Sequence, residues 1–284
     1  MEEIDLQFME KSLSFLEEHS KKRKESPFFL FHSAQAVHLP SFPADQFKGK
    51  TKAGPHGDFI FELDYIVGKL MAALDNHGFA DNTLVIFSSD NGPEVPTVLS
   101  MRQDYKHDGA RPWRGVKRDN WEGGHRVPFI ARWPGKIKPG TRSSQTLSLT
   151  DLMATFAAII NVKLPQGAGE DSVNMLPALI GSDKGKSIRK YTLHQTISLA
   201  LAIRRGPWKY LDHRGSGGNN YDRSGRWGMK KYIVPEKEPE APGQLYNLDT
   251  DPGETNNLYF KRSEIVKELK ARSKFLLDLS LIHI

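Results

Sequence analysis

The stretch LVIFSSDNGPE, residues 84–94, decides the fold because an apolar run leads directly into polar, turn-forming residues. The apolar run predicts a buried strand over residues 83–89, and Asp90 and Asn91 follow at its carboxyl end. In open α/β sheets, ligands bind beyond the carboxyl ends of the strands. This stretch therefore predicts a sheet and a site at the edge of that sheet.

Asp90 and Asn91 support two interpretations when the residues are taken alone. A carboxylate oxygen and an amide oxygen on consecutive residues suit a hard cation such as Ca²⁺ or Mg²⁺, which takes oxygen ligands. The sequence SDNGP is also typical of a plain turn, because Asp, Asn, Gly and Pro each favour turns for separate reasons. The spacing leaves both interpretations open.

Helical and strand patterns alternate around this stretch. Apolar residues recur at three- and four-residue intervals in the predicted helices and run continuously in the predicted strands. The helices cover residues 4–19, 58–76, 149–162 and 262–278, with Thr150 as the cap of the third, and the strands cover residues 28–37, 83–89 and 127–133. Such alternation predicts an α/β fold with helices on both faces of a sheet.

The pattern changes near residue 185, which predicts a second, smaller unit. Residues 198–213 (SLALAIRRGPWKYLDH) are typical of two short strands joined by a turn at Gly206. Residues 213–231 are rich in Gly, Asn, Arg and Lys, and they predict a long surface loop. We therefore expect one domain over residues 1–185 and a subdomain with an antiparallel sheet and a closing helix over residues 186–284.

Composition excludes several kinds of chemistry. The 284 residues include no cysteine, which excludes disulfides, thiolate metal sites and a cysteine nucleophile in the chain as given. Lys and Arg total 40 against 34 Asp and Glu, and this net charge of +6 suits an anionic ligand but is also typical of a solvated surface. No nucleic-acid motif accompanies the basic residues, and no apolar run is long enough to predict a transmembrane segment.

A polar loop around Lys117 carries a second set of candidate residues. Lys117 lies five residues before Glu122, and the pair Gly123 and Gly124 that follows allows close approach of backbones. A loop lysine can hold an anion as a point charge, whereas an isolated one is more often simply solvated. We interpret Arg126, just before the next strand, as structural.

His38 follows the predicted strand over residues 28–37. A histidine at the exit of a strand can serve as a general acid, although a lone histidine is more often structural. His107 and His125 are further possible ligand contacts, and we interpret both as incidental.

Four stretches in a fixed order resemble elements of the sulfatase family, within the alkaline-phosphatase-like superfamily. They resemble its His-x-Pro element, its Asp-Asn-Gly metal motif, its Lys-x-x-x-x-Glu-Gly-Gly-x-Arg-x-Pro element and its Leu-Tyr-Asn-Leu-x-x-Asp-Pro-x-Glu-x-x-Asn-Leu signature. In this sequence they lie at residues 28–40, 58–94, 115–137 and 243–258. The resemblance covers most of the chain.

The resemblance implies a fold and an activity. The fold is an alkaline-phosphatase-like mixed sheet between helices, and the activity is hydrolysis of a sulfuric ester with release of sulfate. Asp90 and Asn91 become Ca²⁺ or Mg²⁺ ligands, Lys117 becomes a contact to a sulfate oxygen, and His38 a contact to the sulfate or the leaving-group oxygen and a general acid. A cation and a lysine neutralise charge on the sulfuryl oxygens while an acid protonates the departing alkoxide.

Parts of the family pattern have no counterpart here. The family nucleophile is a formylglycine made from Cys or Ser in a Cys/Ser-x-Pro-x-Arg motif, and the nearest match, SFPAD at residues 41–45, ends in Asp45 instead of arginine. The acidic pair that supplies the first metal ligands is also missing. We therefore expect a C-terminal portion of a sulfatase, inactive alone, with the formylglycine in an absent N-terminal part. The tail LSLIHI, residues 279–284, is expected to be non-native.

Two alternatives to a sulfatase remain. A phosphoester or phosphonate hydrolase of the same superfamily also handles a tetrahedral anion beside a metal, and a non-catalytic relative could bind an acidic glycan. The expected ligand is a sulfated small molecule or sulfated glycan, with no nucleic acid. The family resemblance implies a periplasmic, secreted or lysosome-like location.

Overall fold

The computed structural model describes residues 2–281, and the side chains of residues 2–278. Strand β1 (Val85–Ser88) pairs with β2 (Phe129–Arg132), so two of the three strands predicted for the first domain are present. The second sheet has four strands, β3 (Thr192–Gln195), β4 (Leu201–Arg205), β5 (Trp208–Leu211) and β6 (Gln244–Asn247). The tail LSLIHI ends outside the described residues.

Helices of very different length lie before, between and after these strands. The long helices are α1 (Ile4–Lys22), α2 (Gly54–Asn76), α3 (Val95–Asp104), α5 (Leu152–Ile159) and α7 (Ser263–Leu281), and the single-turn helices are α4 (Glu122–His125) and α6 (Leu176–Leu179). No helix within residues 2–281 has both the length and the apolar character required to cross a bilayer.

The chain divides into two compact units. The first comprises Met1–Val85, Pro93–Gly109 and Arg132–Gly135, and the second comprises Ile86–Gly92, Ala110–Ala131 and Lys136–Ile284. The units are built from interleaved segments, because the 84–94 stretch contributes to both. The functional boundary expected near residue 185 stays a prediction.

The core of the first unit forms between α1 and α2. Leu16 of α1 is fully buried against Ala73 and Leu74 of α2, and the half-buried Phe28 packs on the same cluster. The buried carboxylate of Asp5 accepts hydrogen bonds from two consecutive backbone N–H groups, those of Gln35 and Ala36, at 2.7 and 2.9 Å. These bonds fix the segment that leads to His38.

The strand predicted over residues 28–37 is wrong. Its side chains alternate as in a strand: Phe28 and Leu30 pack on the core, whereas Phe29 and Phe31 are 74% and 78% exposed. Within residues 2–281, however, no strand pairs with this segment. The run of apolar residues predicts a buried strand, but a strand also requires a hydrogen-bonded neighbour.

The cap predicted for the helix after residue 148 is also wrong. Ser148, not Thr150, caps the turn Leu149–Asp151 that precedes α5, and it forms a capping box with Asp151. Thr150 donates its hydroxyl hydrogen to the Ser148 side chain at 2.9 Å. The helical turn therefore begins at Leu149, directly after Ser148, and α5 continues from Leu152, because the capping box satisfies backbone groups on both partners.

The four-stranded sheet of the second unit is antiparallel in the order β3-β4-β5-β6. The turn at Gly206 joins β4 and β5 as predicted. One face carries Ile203, Tyr210 and Leu245 and packs against α7. Because side chains alternate along a strand, the neighbouring residues form the opposite face, where Trp121 packs. This second face supports the loop that contains Lys117.

Candidate functional site

Asp90 and Asn91 lie in the turn that follows β1, as the sequence predicts. Asp90 is exposed and Asn91 is partly buried. The side-chain amide of Asn91 donates to the carbonyl oxygen of Gly92 at 3.0 Å, so the amide hydrogens are used inside the turn. The amide oxygen is therefore the atom of Asn91 suited to a ligand. The hydroxyl of Ser89 donates to Asp90 Oδ1 at 3.4 Å.

Gly92 holds this turn against the Gly-Gly pair. Its N–H donates to the carbonyl oxygen of Gly124 at 2.9 Å. A Cβ added to Gly92 would lie 1.9 Å from the carbonyl oxygen of Gly123. The two backbones therefore approach so closely that no side chain fits between them.

The Gly-Gly pair packs with its other side against the loop that carries Lys117. A Cβ on Gly123 would lie 2.3 Å from the carbonyl oxygen of Gly115, and one on Gly124 would lie 2.1 Å from that of Asp119. The close approach predicted for the pair is present in the structure. Within the second unit, the turn of Asp90 and Asn91 and the loop of Lys117 thus contact the same two glycines.

The backbone on both sides of Lys117 is fixed by buried hydrogen bonds. Asn219 donates its side-chain amide to the carbonyl oxygen of Lys117 at 2.8 Å and to Asp119 Oδ1 at 2.7 Å. Asp119 is buried, and its Oδ2 accepts from the Val116 N–H at 2.9 Å and the Tyr221 hydroxyl at 2.6 Å. The partly buried Lys117 therefore projects from a loop whose conformation is set by a distant segment.

A buried cluster of charged side chains holds the Glu-Gly-Gly turn that packs against this loop. Lys209 on β5 is fully buried, and its Nζ lies 2.9 Å from Glu122 Oε1 and 3.1 Å from Glu254 Oε1. Glu254 also accepts the backbone N–H of Glu122 through Oε2 at 2.6 Å. The cluster thereby joins three distant parts of the sequence, the Glu-Gly-Gly turn, strand β5 and the segment after β6.

Arginine and histidine side chains surround Glu122. Its Oε2 accepts from Arg126 at 2.8 Å and lies 3.4 Å from Arg204, which supports the structural role expected for Arg126. The His125 ring stacks on His194 at 3.7 Å between centroids, and its Nε2 lies 3.1 Å from Lys209 Nζ. His125 therefore belongs to this cluster, and its side chain is 21% exposed.

The environment shifts four pKa values. Burial acts to raise the pKa of Glu122, but the charges of Lys209 and Arg204 hold it well below its ordinary value. Burial raises the pKa of Glu254 to about 7 despite the opposing charge of Lys209. Burial, with a smaller effect from the charge of Lys209, lowers the pKa of His194 to about 3. Burial and the neighbouring His194 lower the pKa of His125. Glu122 is therefore the anion that balances Lys209, and both histidines are neutral.

His38 belongs to the first unit and is exposed. Its Nδ1 donates to the carbonyl oxygen of Leu39 at 2.6 Å, so Nε2 is the ring nitrogen left to contact a ligand. The general-acid role of His38 stays a prediction.

The oxygen donors of Asp90 and Asn91 fit part of a Ca²⁺ or Mg²⁺ site. Both cations take oxygen ligands, and Ca²⁺ takes about six to eight of them. Among residues 2–281, no group of three or more His, Asp or Glu side chains is arranged to hold a metal. The two residues therefore fit a cation only together with further oxygen ligands.

Sequence reasoning assigned no role to four residues that shape this site. They are Asp119, Lys209, Asn219 and Glu254. Glu254 lies in the 243–258 stretch that carries the family resemblance, and Asp119 lies between Lys117 and Glu122. The positions of Glu254 and Asp119 within these stretches could have indicated a role. Lys209 and Asn219 lie outside them, and only the folded structure brings these two residues to the site.

Comparisons with known proteins show the family of the chain. The family model described as Sulfatase matches residues 1–162. The N-acetylgalactosamine-6-O-sulfatase of Bacteroides thetaiotaomicron is 37% identical over 91% of the chain and 48% of its own length. Human arylsulfatase A is 33% identical over 84% of the chain and 45% of its own length. The chain thus spans about half the length of the curated relatives it matches.

Solved structures show the same fold. A structure described for the metabolism of multiple glycosaminoglycans by Bacteroides thetaiotaomicron superposes with a TM-score of 0.79 and 32% identity, covering 97% of this chain and 54% of that one. A sulfatase from Pseudoalteromonas sp. gives 0.78 and 27%, covering 98% and 53%. Fold and comparisons together define an α/β protein of the alkaline-phosphatase-like class. The chain belongs to the sulfatase family.

Proposed function

We propose that the whole enzyme is a sulfuric ester hydrolase, and that this chain supplies the part of its site that neutralises the sulfate group. The observation that carries the proposal is the contact of Gly92 with Gly124, at 2.9 Å between N and O. It brings the oxygen donors after β1 and the loop of Lys117 to one pair of glycines. A cation ligand set beside a lysine suits a tetrahedral dianion or monoanion.

The proposed roles of the residues follow from the charge that moves in the reaction. An oxygen nucleophile supplied by the rest of the enzyme bonds to sulfur as the bond between sulfur and the alcohol oxygen breaks, and the electron pair of the broken bond goes to the departing oxygen. Lys117 binds a sulfuryl oxygen as a point charge, and Nε2 of His38 gives a proton to the departing alkoxide. Water finally supplies the new oxygen of sulfate. We expect the nucleophile, a formylglycine, outside these 284 residues, which contain no cysteine.

Asp90 and Asn91 would hold the divalent cation together with ligands from the rest of the enzyme. A bound Ca²⁺ would withdraw charge from the sulfuryl oxygens and orient the ester. Ca²⁺ is the better match to an exposed carboxylate and amide that offer only part of a ligand set, because it tolerates irregular coordination. Mg²⁺ is the second candidate.

We propose a sulfated glycan as the substrate class. The relative with 37% identity is named an N-acetylgalactosamine-6-O-sulfatase, and one structural relative is described for glycosaminoglycan metabolism. An N-acetylgalactosamine-6-sulfate residue is therefore the first substrate to test, with an aryl sulfate as a small alternative. The same relationship favours a location outside the cytoplasm.

The test is release of inorganic sulfate by the native enzyme that carries these residues, assayed with Ca²⁺. We expect Lys117→Ala to lower kcat by roughly 10²–10³-fold, the usual effect of losing one donor to a developing charge. Lys138→Ala removes an exposed loop lysine of the same unit and should leave kcat within about twofold.

Two results would contradict the proposal. One is an equal effect of the two lysine substitutions, and the other is faster hydrolysis of a phosphate monoester than of the matching sulfate ester. The second result would favour a phosphohydrolase of the same superfamily. The 284-residue chain alone should release no sulfate above its own Lys117→Ala background, and turnover would overturn that expectation.

A further inference from the structure

A basic cleft lies in the long loop between β5 and β6. It encloses about 300 Å³ and is lined by Arg223, Ser224, Gly225, Gly228, Lys230 and Lys231. Half of the lining residues are cationic and none is acidic. A volume of this size is at the lower end of ligand-binding clefts and accommodates one charged sugar unit.

The backbone of the loop forms the wall of this cleft. The N–H of Lys230 donates to the carbonyl oxygen of Arg223 at 3.1 Å, and the N–H of Gly228 donates to that of Gly225 at the same distance. A Cβ on Gly228 would lie 2.3 Å from the carbonyl oxygen of Arg223. The loop therefore folds tightly on itself and holds its cations at one surface.

The cations of the cleft lack carboxylate partners. Arg223, Lys230 and Lys231 are exposed, and none of them forms an ion pair with a carboxylate in the part of the chain the structure describes. Asp222 is the one acidic residue in the segment 222–231. Grouped like charges repel one another unless an anion is present, so this arrangement favours a polyanionic ligand.

An exposed indole adds an apolar surface beside these charges. Trp227 is 55% exposed, and the guanidinium of Arg226 lies 5.2 Å from its ring centroid. A large aromatic side chain in solvent has no role in the core of the second unit, whereas its face suits the apolar face of a sugar ring. Charge and aromatic surface together indicate an acidic carbohydrate.

The segment that lines the cleft begins beside residues that contact the loop of Lys117. Tyr221 and Asn219 bind Asp119, and Arg223 follows only two residues after Tyr221. Two residues of extended backbone span at most about 7 Å. The cleft segment thus begins within about 7 Å of a residue that binds the loop of Lys117.

We propose that the cleft is a binding site for the uncleaved anionic groups of a sulfated polysaccharide, with Arg223, Lys230 and Lys231 as its charges and Trp227 as its stacking surface. The assignment of the polymer rests on the proposed function. It makes the enzyme selective for a polymeric substrate over a single sulfated sugar.

The experiment measures binding of dextran sulfate to the full 284-residue chain by biolayer interferometry. The test variant is R223Q/K230Q/K231Q. The matched control is K267Q/K270Q/K274Q, which removes the same charge from exposed positions of α7 in the same unit. Carboxymethyl dextran, uncharged dextran and single-stranded DNA are measured in parallel, and a thermal melt of each variant verifies folding.

We expect the cleft variant to bind dextran sulfate at least about tenfold more weakly at low salt and the control to stay within about twofold. Trp227→Ala should weaken binding by about threefold. Equal losses of dextran sulfate affinity in both triple variants would contradict the proposed binding site. Binding of single-stranded DNA as strong as that of dextran sulfate would also contradict it. Equal loss of carboxymethyl dextran binding would overturn the assignment to sulfate.

This readout is independent of turnover, so it separates the two proposals. If the native enzyme hydrolyses small sulfate esters while the cleft variant binds dextran sulfate normally, the cleft is wrong and the function stands. If the cleft variant loses polymer binding but the native enzyme releases no sulfate, the proposed function fails and the binding site stands.

Discussion

The ammonium group of Lys209 lies 2.9 Å from Glu122 Oε1, with both side chains at most 1% exposed. Glu122 begins the Glu-Gly-Gly turn, so this ion pair anchors the turn to the face of the four-stranded sheet. Gly123 and Gly124 contact both candidate loops. The ion pair therefore supports both the turn that carries the oxygen ligands of Asp90 and Asn91 and the loop that carries Lys117. A charge pair far from solvent thus holds the geometry of the proposed site.

Replacement of Lys209 should be strongly destabilising. Lys209→Met removes the buried cation that contacts both Glu122 and Glu254, and removal of one partner of a buried pair costs about 3–5 kcal/mol. The free energy of unfolding from urea titrations measures the loss. Lys267→Met, at an exposed position of α7, should change it by less than about 0.5 kcal/mol. Similar values for the two variants would show that Lys209 does not anchor the turn.

Glu254 should make stability depend on pH above the usual carboxyl range. Its pKa is raised from 4.5 to about 7, so the folded state binds a proton that the unfolded state has lost. Its contribution is complete below pH 4.5 and declines as pH rises to about 7, by about 3 kcal/mol in all. Glu254→Gln removes this decline, and the variant should gain stability relative to the unmodified chain between pH 5 and pH 8.

Urea unfolding at several pH values measures this difference. Glu264→Gln, at an exposed position of α7, is the matched control and should follow the unmodified chain at every pH. A constant difference between Glu254→Gln and the unmodified chain over this range would contradict the raised pKa.

The residues that anchor the site show the limit of sequence reasoning. The alternating pattern around Gly206 predicts the two central strands correctly, but it gives no reason to bury a lysine in one of them. Lys209 is buried because Glu122 and Glu254 approach it from 87 and 45 positions away along the chain. Pairing at such distances depends on tertiary structure, which periodicity does not encode.

The segment over residues 28–37 shows the complementary limit for the fold. Its apolar residues predict a segment that packs on the core, and Phe28 and Leu30 do so. Its hydrogen bonding depends on a neighbouring strand, which the described residues do not provide. The Gly-Gly pair was predicted more fully, because glycine permits close backbone approach whatever the partner.

Gly92→Ala should separate the two candidate loops. The new Cβ would lie 1.9 Å from the carbonyl oxygen of Gly123, and a backbone oxygen cannot move aside as a flexible side chain does. We expect a loss of about 1–3 kcal/mol in the free energy of unfolding, as for overpacked interiors. Gly68→Ala in α2 is the control, since its Cβ meets nothing within 4 Å, and it should stabilise the chain by about 0.5–1 kcal/mol. Equal stability of the two variants would contradict the close contact.

Asn219 should act on the reaction as a positioning residue for Lys117. Asn219→Ala removes the bond to the carbonyl oxygen of Lys117 and one bond to Asp119, so the lysine is less well held. We expect inorganic sulfate to inhibit the native enzyme about tenfold less strongly in this variant, because a shift of about 1 Å can cost up to 10²-fold. Asn220→Ala changes the exposed neighbour and should leave inhibition within about twofold. A variant with unchanged inhibition by sulfate and a lower free energy of unfolding would show that Asn219 is purely structural.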